Sequence, residues 1–201
     1  MVLGTSHMAD ALAADATAGL LINALATGAV LFVLISLFAP VSGAHFNPIV
    51  TFVLWLKKDI GLGEALVFAI SQVLGGVAGA VLANLMFTDA AIAFSDNQRA
   101  GFGIQLGEVV ASFGLVLLIL ILLQHQKPSL IPIAVPAWII AGYFFTASTS
   151  FANPAVTLGR AFSDTGSSIV FSSVPMFILM QFLGALLALV TAFLLKPKAE
   201  R

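Results

Sequence analysis

Two asparagines stand out in this sequence. Asn47 and Asn153 each precede a proline in one shared pattern, Asn-Pro-x-Val-Thr, at 47–51 and again at 153–157, 106 residues apart. Asn is a favoured helix N-cap, and Pro at the first helical position has the right φ and lacks an N–H that would need a partner. Each motif therefore predicts the start of a short helix. Long apolar runs flank both motifs, which puts the short helices at membrane depth with their positive dipole ends facing one another. Two such ends repel cations and leave two side-chain amides to orient a neutral polar solute. That is the chemistry of a channel, not of a catalyst.

The rest of the chain must hold these motifs in a bilayer, and its composition fits that task. Of 201 residues, 60% are hydrophobic and 8% charged, with a mean hydropathy of +1.10, values outside the usual range of soluble domains. A net charge of −1 gives no electrostatic case for a nucleic-acid partner. No cysteine is present, which excludes disulfides, thiol nucleophiles and thiolate metal sites. His7, His45 and His125 lack ligand spacing. No metal or cofactor is expected, and no set of nucleophile, base and orienting group marks an enzyme.

Residues 1–18 carry Asp10 and Asp15 but no basic residue, so they make neither a span nor a signal peptide; GTSHM within them reads equally as a cloning scar or as native sequence. Spans are expected at about 19–40, 65–87, 102–123, 130–147 and 174–195, with half-helices at about 47–56 and 153–162 and a tail at 196–201. Gln72-x-x-Gly75 recurs as Gln181-x-x-Gly184, so the repeat reaches beyond the motifs and points to duplicated halves. The second half reads span, span, half-helix, span; the first half lacks its opening span, and the chain reads as shortened at its N-terminus. Lys57, Lys58, Lys127, Lys196, Lys198 and Arg201 fall on one side of alternating spans, with Arg99 and Arg160 on the other. The positive-inside rule makes the lysine side, and the C-terminus, cytoplasmic.

The segments SGAHFNPIVT and FANPAVTLGR, together with Glu108 and the Gln-x-x-Gly repeat, resemble the aquaporin and aquaglyceroporin family over about residues 19–195. The resemblance implies an all-α transmembrane fold of inverted repeats: six tilted spans, of which the first is missing here, and two half-helices around one pore per subunit, usually in a homotetramer. It implies that Asn47 and Asn153, with Pro48, Ile49, Pro154 and Ala155, form the mid-pore motifs and donate hydrogen bonds to the solute. Backbone carbonyls of Gly43, Ala44, His45, Thr149, Ser150 and Phe151 would line the vestibules. Glu108 would brace the loop carrying Asn153.

The family's filter positions are placed here, by spacing from the two asparagines, at Thr27, Ala141 and Val156, with Ser150 on the loop; one inserted residue in the fourth span would shift Ala141 to Gly142. The usual aromatic and the usual arginine are both missing, which implies a wide constriction, while Ile49 in place of the usual Ala could narrow the mid-pore instead. Arg160, one turn beyond Val156, is expected at the outer mouth and paired with Asp164 at i+4. The pattern is similar to a bacterial subgroup associated with arsenic detoxification. A passive inner-membrane channel for polyols and metalloid acids such as As(OH)3, with water as a further candidate, is the leading expectation.

Plainer readings stand beside these. A single Asn-Pro would be only a helix cap, and it is the pairing that favours a pore. Glu108 could belong to a proton relay, although no second ionisable residue marks one. His45 reads equally as a vestibule residue or as a packed histidine, and the four filter residues also suit helix packing. The rival functions are a secondary transporter and a non-conducting, shortened or structural membrane protein.

Overall fold

A computed structural model describes residues 1–12 and 14–196; of the expected tail, 197–201, with Lys198 and Arg201, lie outside the described residues. Its eight α-helices are α1 (Val2–Ala11), α2 (Ala16–Ser42), α3 (Pro48–Leu56), α4 (Leu62–Met86), α5 (Phe102–Gln124), α6 (Ile131–Phe145), α7 (Pro154–Gly159) and α8 (Val174–Leu194). Short 3-10 turns lie at Pro128–Leu130, Arg160–Phe162 and Phe171–Ser173. Among the described residues, five helical stretches are long and apolar enough to cross a membrane: Ala16–Ser42, Leu62–Met86, Phe102–Gln124, Pro128–Phe145 and Phe171–Leu194. Their outward faces carry large exposed side chains such as Leu66, Ile70, Phe102, Ile133 and Leu179, as lipid-facing surfaces do.

Helix starts follow from local chemistry. Asp15 caps α2, its carboxylate accepting from Ala18 N at 2.7 Å, and Gly43 ends the helix with φ 73°, a left-handed conformation that glycine adopts without strain. The tightest helix pair is α5 against α8. A Cβ on Gly184 would lie 2.4 Å from the carbonyl oxygen of Val109 and 3.0 Å from Ser112 Cβ, so only glycine fits. Similarly, α4 meets the second half-helix through Gly76 and Gly159, where an added Cβ would lie 2.7 Å from a carbonyl oxygen in each case, that of Ala155 and that of Gly76 respectively.

The opening residues hold a helix that composition did not announce. Helix α1 packs on α2 and α4 through Val2, Leu3, Ser6, His7 and Ala9. His7 anchors it. Asn84 donates through Nδ2 to the carbonyls of Ala91 and Phe162, so its Oδ1 is left to accept from His7 Nε2 at 3.2 Å. Asp89 lies 3.2 Å from His7 Nδ1, and the ring stacks on Phe87 at 5.1 Å. Losing these bonds costs about 1–2 kcal/mol. His7→Ala is therefore expected to raise amide exchange in α1 about tenfold while α5 and α8 stay protected; unchanged α1 exchange would contradict the anchor.

Candidate pore at the paired Asn-Pro motifs

The two motifs meet at the centre of the molecule and tie one another in place. Asn47 caps α3, its Oδ1 accepting from Ile49 N at 3.1 Å, and Asn153 caps α7, its Oδ1 accepting from Ala155 N at 3.0 Å and Val156 N at 3.3 Å. Asn47 Nδ2 donates to the carbonyl of Ala152 at 2.7 Å, and Asn153 Nδ2 donates to that of Phe46 at 2.8 Å. Each asparagine thus holds the residue just before the other. An amide NH2 has two hydrogens, and one of each remains for a second acceptor.

The loops leading into the motifs share one backbone trace. Gly43, Ala44 and Phe46 have φ of 73°, 49° and 46°, and Thr149, Ser150 and Ala152 have φ of 62°, 52° and 46°, the same positions 106 residues on. A left-handed non-glycine residue costs about 1–2 kcal/mol, so five of them require support. In the second half that support is Glu108, fully buried on α5. It accepts from Phe151 N at 2.9 Å, Ala152 N at 3.0 Å and Gln181 Nε2 at 2.6 Å, and Gln181 Nε2 also reaches Thr157 Oγ1 at 2.8 Å. In the first half Gln72 Nε2 reaches Thr51 Oγ1 at 3.0 Å, which also meets His45 Nδ1 at 3.1 Å. There the N–H groups of His45 and Phe46 meet no acceptor among the described residues.

The consequence of this trace is a set of free acceptors. The carbonyls of Phe46 and Ala152 are taken by the asparagines, whereas those of Gly43, Ala44, His45, Thr149, Ser150 and Phe151 accept no hydrogen bond among the described residues. Six acceptors therefore flank two amide donors.

The residues expected at the filter differ in burial. Thr27 is 3% exposed, with Oγ1 3.2 Å from Asn23 Oδ1 and 3.4 Å from the Tyr143 hydroxyl. Ser150 is buried and Val156 half-buried. Ala141 is exposed, on the face of α6 that carries Ile133, Ala137 and Phe144. One residue turns an α-helix by about 100°, and it is Gly142 that meets Ser150, where a Cβ would stand 2.5 Å from the serine oxygen. Ile49 is 0% exposed and packed in the main apolar core. Arg160 forms no ion pair with Asp164. Its Nε donates to the carbonyl of Ser167, and its guanidinium carbon lies 3.5 Å from the centre of the Phe151 ring.

Sequence reasoning missed Asn23 and Tyr143. Tyr143 donates to Asn23 Oδ1 at 3.2 Å, and Asn23 Nδ2 donates to Ser167 Oγ at 2.8 Å and to the Val2 carbonyl at 3.1 Å. A buried asparagine four residues before Thr27 in an otherwise apolar span was the available signal.

A family model described as Major intrinsic protein matches residues 1–150. The chain belongs to the major intrinsic protein family. It is 44% identical over 197 residues to Aquaglyceroporin AqpS of Rhizobium meliloti (strain 1021), covering 98% of this chain and 84% of that protein. It is also 33% identical over 153 residues to a probable aquaporin TIP-type of Medicago truncatula, and 36% identical over 154 residues to Aquaporin TIP1-2 of Zea mays. Those two alignments cover 72% of this chain and 60% of each plant protein. Members of the family are membrane channels for small solutes and not enzymes, which agrees with the all-helical fold and its five apolar stretches.

Proposed function

We propose that this major intrinsic protein passes small uncharged polyols and metalloid acids such as As(OH)3, and water with them, passively through the path between Asn47 and Asn153. The observation that carries this reading is the pattern of six free carbonyls around two amides that each keep one spare N–H. Such a row replaces the hydration of a molecule bearing several hydroxyls, since each hydroxyl both donates and accepts. Similarity to a protein named as an aquaglyceroporin supports the polyol reading. The small or apolar side chains of Thr27, Gly142, Ser150 and Val156 suit a solute wider than water. Glu108 acts as a brace in this account, and Gly43 to His45 and Thr149 to Phe151 form the two vestibules.

The working unit is a homotetramer in a bacterial plasma membrane, with Lys57, Lys58 and Lys127 on the cytoplasmic side and the C-terminus with them. Lys57, Gln124 and Lys196 border one shallow cavity, which supports their sharing a face. Val156 is the position at which bulk should obstruct the path. Replacing Val156 by Trp is expected to reduce glycerol and As(OH)3 permeability of proteoliposomes by at least about tenfold, with less effect on water, since a steric block discriminates by size. Equal loss for all three solutes, or no loss, would remove Val156 from the path.

A further inference from the structure

The filter position next to the second motif holds Val156, so the path lacks a positive side chain where the resemblance leads one to look for it. Four residues on, Arg160 is 3% exposed. Its guanidinium stacks at 3.5 Å on the ring of Phe151, whose own N–H is held by Glu108. On the same ring, at 5.0 Å, sits the guanidinium of Arg99, which donates to the carbonyls of Ser168 at 2.9 Å and Gly166 at 3.0 Å. Two arginines thus flank one vestibule residue and grip the loop after α7 by consecutive carbonyls.

Their charge is not cancelled locally. Asp164 pairs with neither of them. Glu108 is the carboxylate whose field reaches both guanidiniums, and its oxygens are bound to Phe151 N, Ala152 N and Gln181. Two guanidiniums therefore stand at this end of the path with no carboxylate ion-paired to either among the described residues. A polar chain links them to the filter level: Arg160 to Ser167, Ser167 to Asn23, Asn23 to Tyr143 and Thr27.

We propose that Arg160, backed by Arg99, supplies the positive charge that bars cations from this path, acting from beside the Phe151 loop and not from position 156. The proposal rests on the channel reading above. A buried charge acts over a longer range than an exposed one, because solvent screens it less. A unit charge about 10 Å from a permeating cation, at an effective dielectric constant of about 20, changes its occupancy on the order of tenfold. Arg160 need not touch the solute, and it leaves the passage wide for neutral molecules.

Arg160→Gln tests this, because Gln keeps a donor for the Ser167 carbonyl and loses the charge. Proteoliposomes of the full chain are assayed for glycerol flux and, in the same preparation, for valinomycin-independent K+ and proton leak. The expected result is unchanged glycerol flux with about a tenfold rise in cation leak, suppressed again when Val156→Arg is added to the variant. A variant that passes glycerol and stays tight to cations overturns the proposal. If Arg160→Gln cannot be recovered folded, Arg99→Gln is read instead: a smaller rise in leak supports the proposal and none overturns it. Wild-type vesicles that pass no glycerol would mark a failure of the channel reading itself.

Discussion

Glu108→Gln is expected to lower the thermal stability of the detergent-solubilised protein on the order of 10 °C and to abolish solute flux. The carboxylate accepts three hydrogen bonds, from Phe151 N, Ala152 N and Gln181 Nε2. Gln offers one oxygen in their place, and its NH2 group must point at a donor. At least one buried N–H is then stranded and two charge-assisted bonds are lost, a cost of about 3–5 kcal/mol. At about 2–4 °C per kcal/mol for a chain of this size, the melting shift follows. The same bonds hold the left-handed residues of the 149–152 loop, so the carbonyl row should lose its order before the helices separate. A variant with wild-type melting and wild-type flux would show that Glu108 is not the brace.

The second large effect concerns the two glycines that the repeat equates. Gly184→Ala puts a Cβ 2.4 Å from the Val109 carbonyl oxygen and 2.9 Å from Phe113 N, backbone atoms that cannot rotate away. Helices α5 and α8 must move apart, at a cost of about 1–3 kcal/mol or more. At the matching place, Gly75, an added Cβ meets nothing within 4 Å. Ala there should be neutral or stabilise by about 0.5–1 kcal/mol, because Gly in a helix interior is unfavourable. Parallel thermal melts of the two variants should therefore shift in opposite directions, or one should fall while the other stays. Equal destabilisation at both positions would contradict the asymmetry between the halves.

That asymmetry indicates how far the sequence could be read. The half-helices were legible because Asn and Pro act locally, through a cap and a fixed φ, and neither depends on distant contacts. The reciprocal tie between Asn47 and Ala152, and between Asn153 and Phe46, was not legible, since it depends on two loops meeting across the molecule. The left-handed residues at 44, 46, 149, 150 and 152 were hidden for a related reason: only Gly43 announces such a conformation by residue type. Counting from Asn153 gives Ala141 as the filter position, but spacing alone could not show that its neighbour Gly142 is the residue that packs on Ser150. Helix α1 escaped notice because its stability comes from His7, Asn84 and Asp89, contacts 77 and 82 residues apart along the chain.

Passive crossing of a neutral solute between Asn47 and Asn153, as we propose, is checked by the concentration dependence of glycerol flux. Stopped-flow light scattering on proteoliposomes of the 201-residue chain would be run over a wide range of glycerol gradients, with and without imposed proton and sodium gradients. The expected result is flux well above that of empty vesicles, rising in proportion to the glycerol gradient and indifferent to either ion gradient. Flux that saturates and follows an ion gradient would identify a coupled transporter, and flux no greater than that of empty vesicles would leave the two Asn-Pro motifs as structural devices alone.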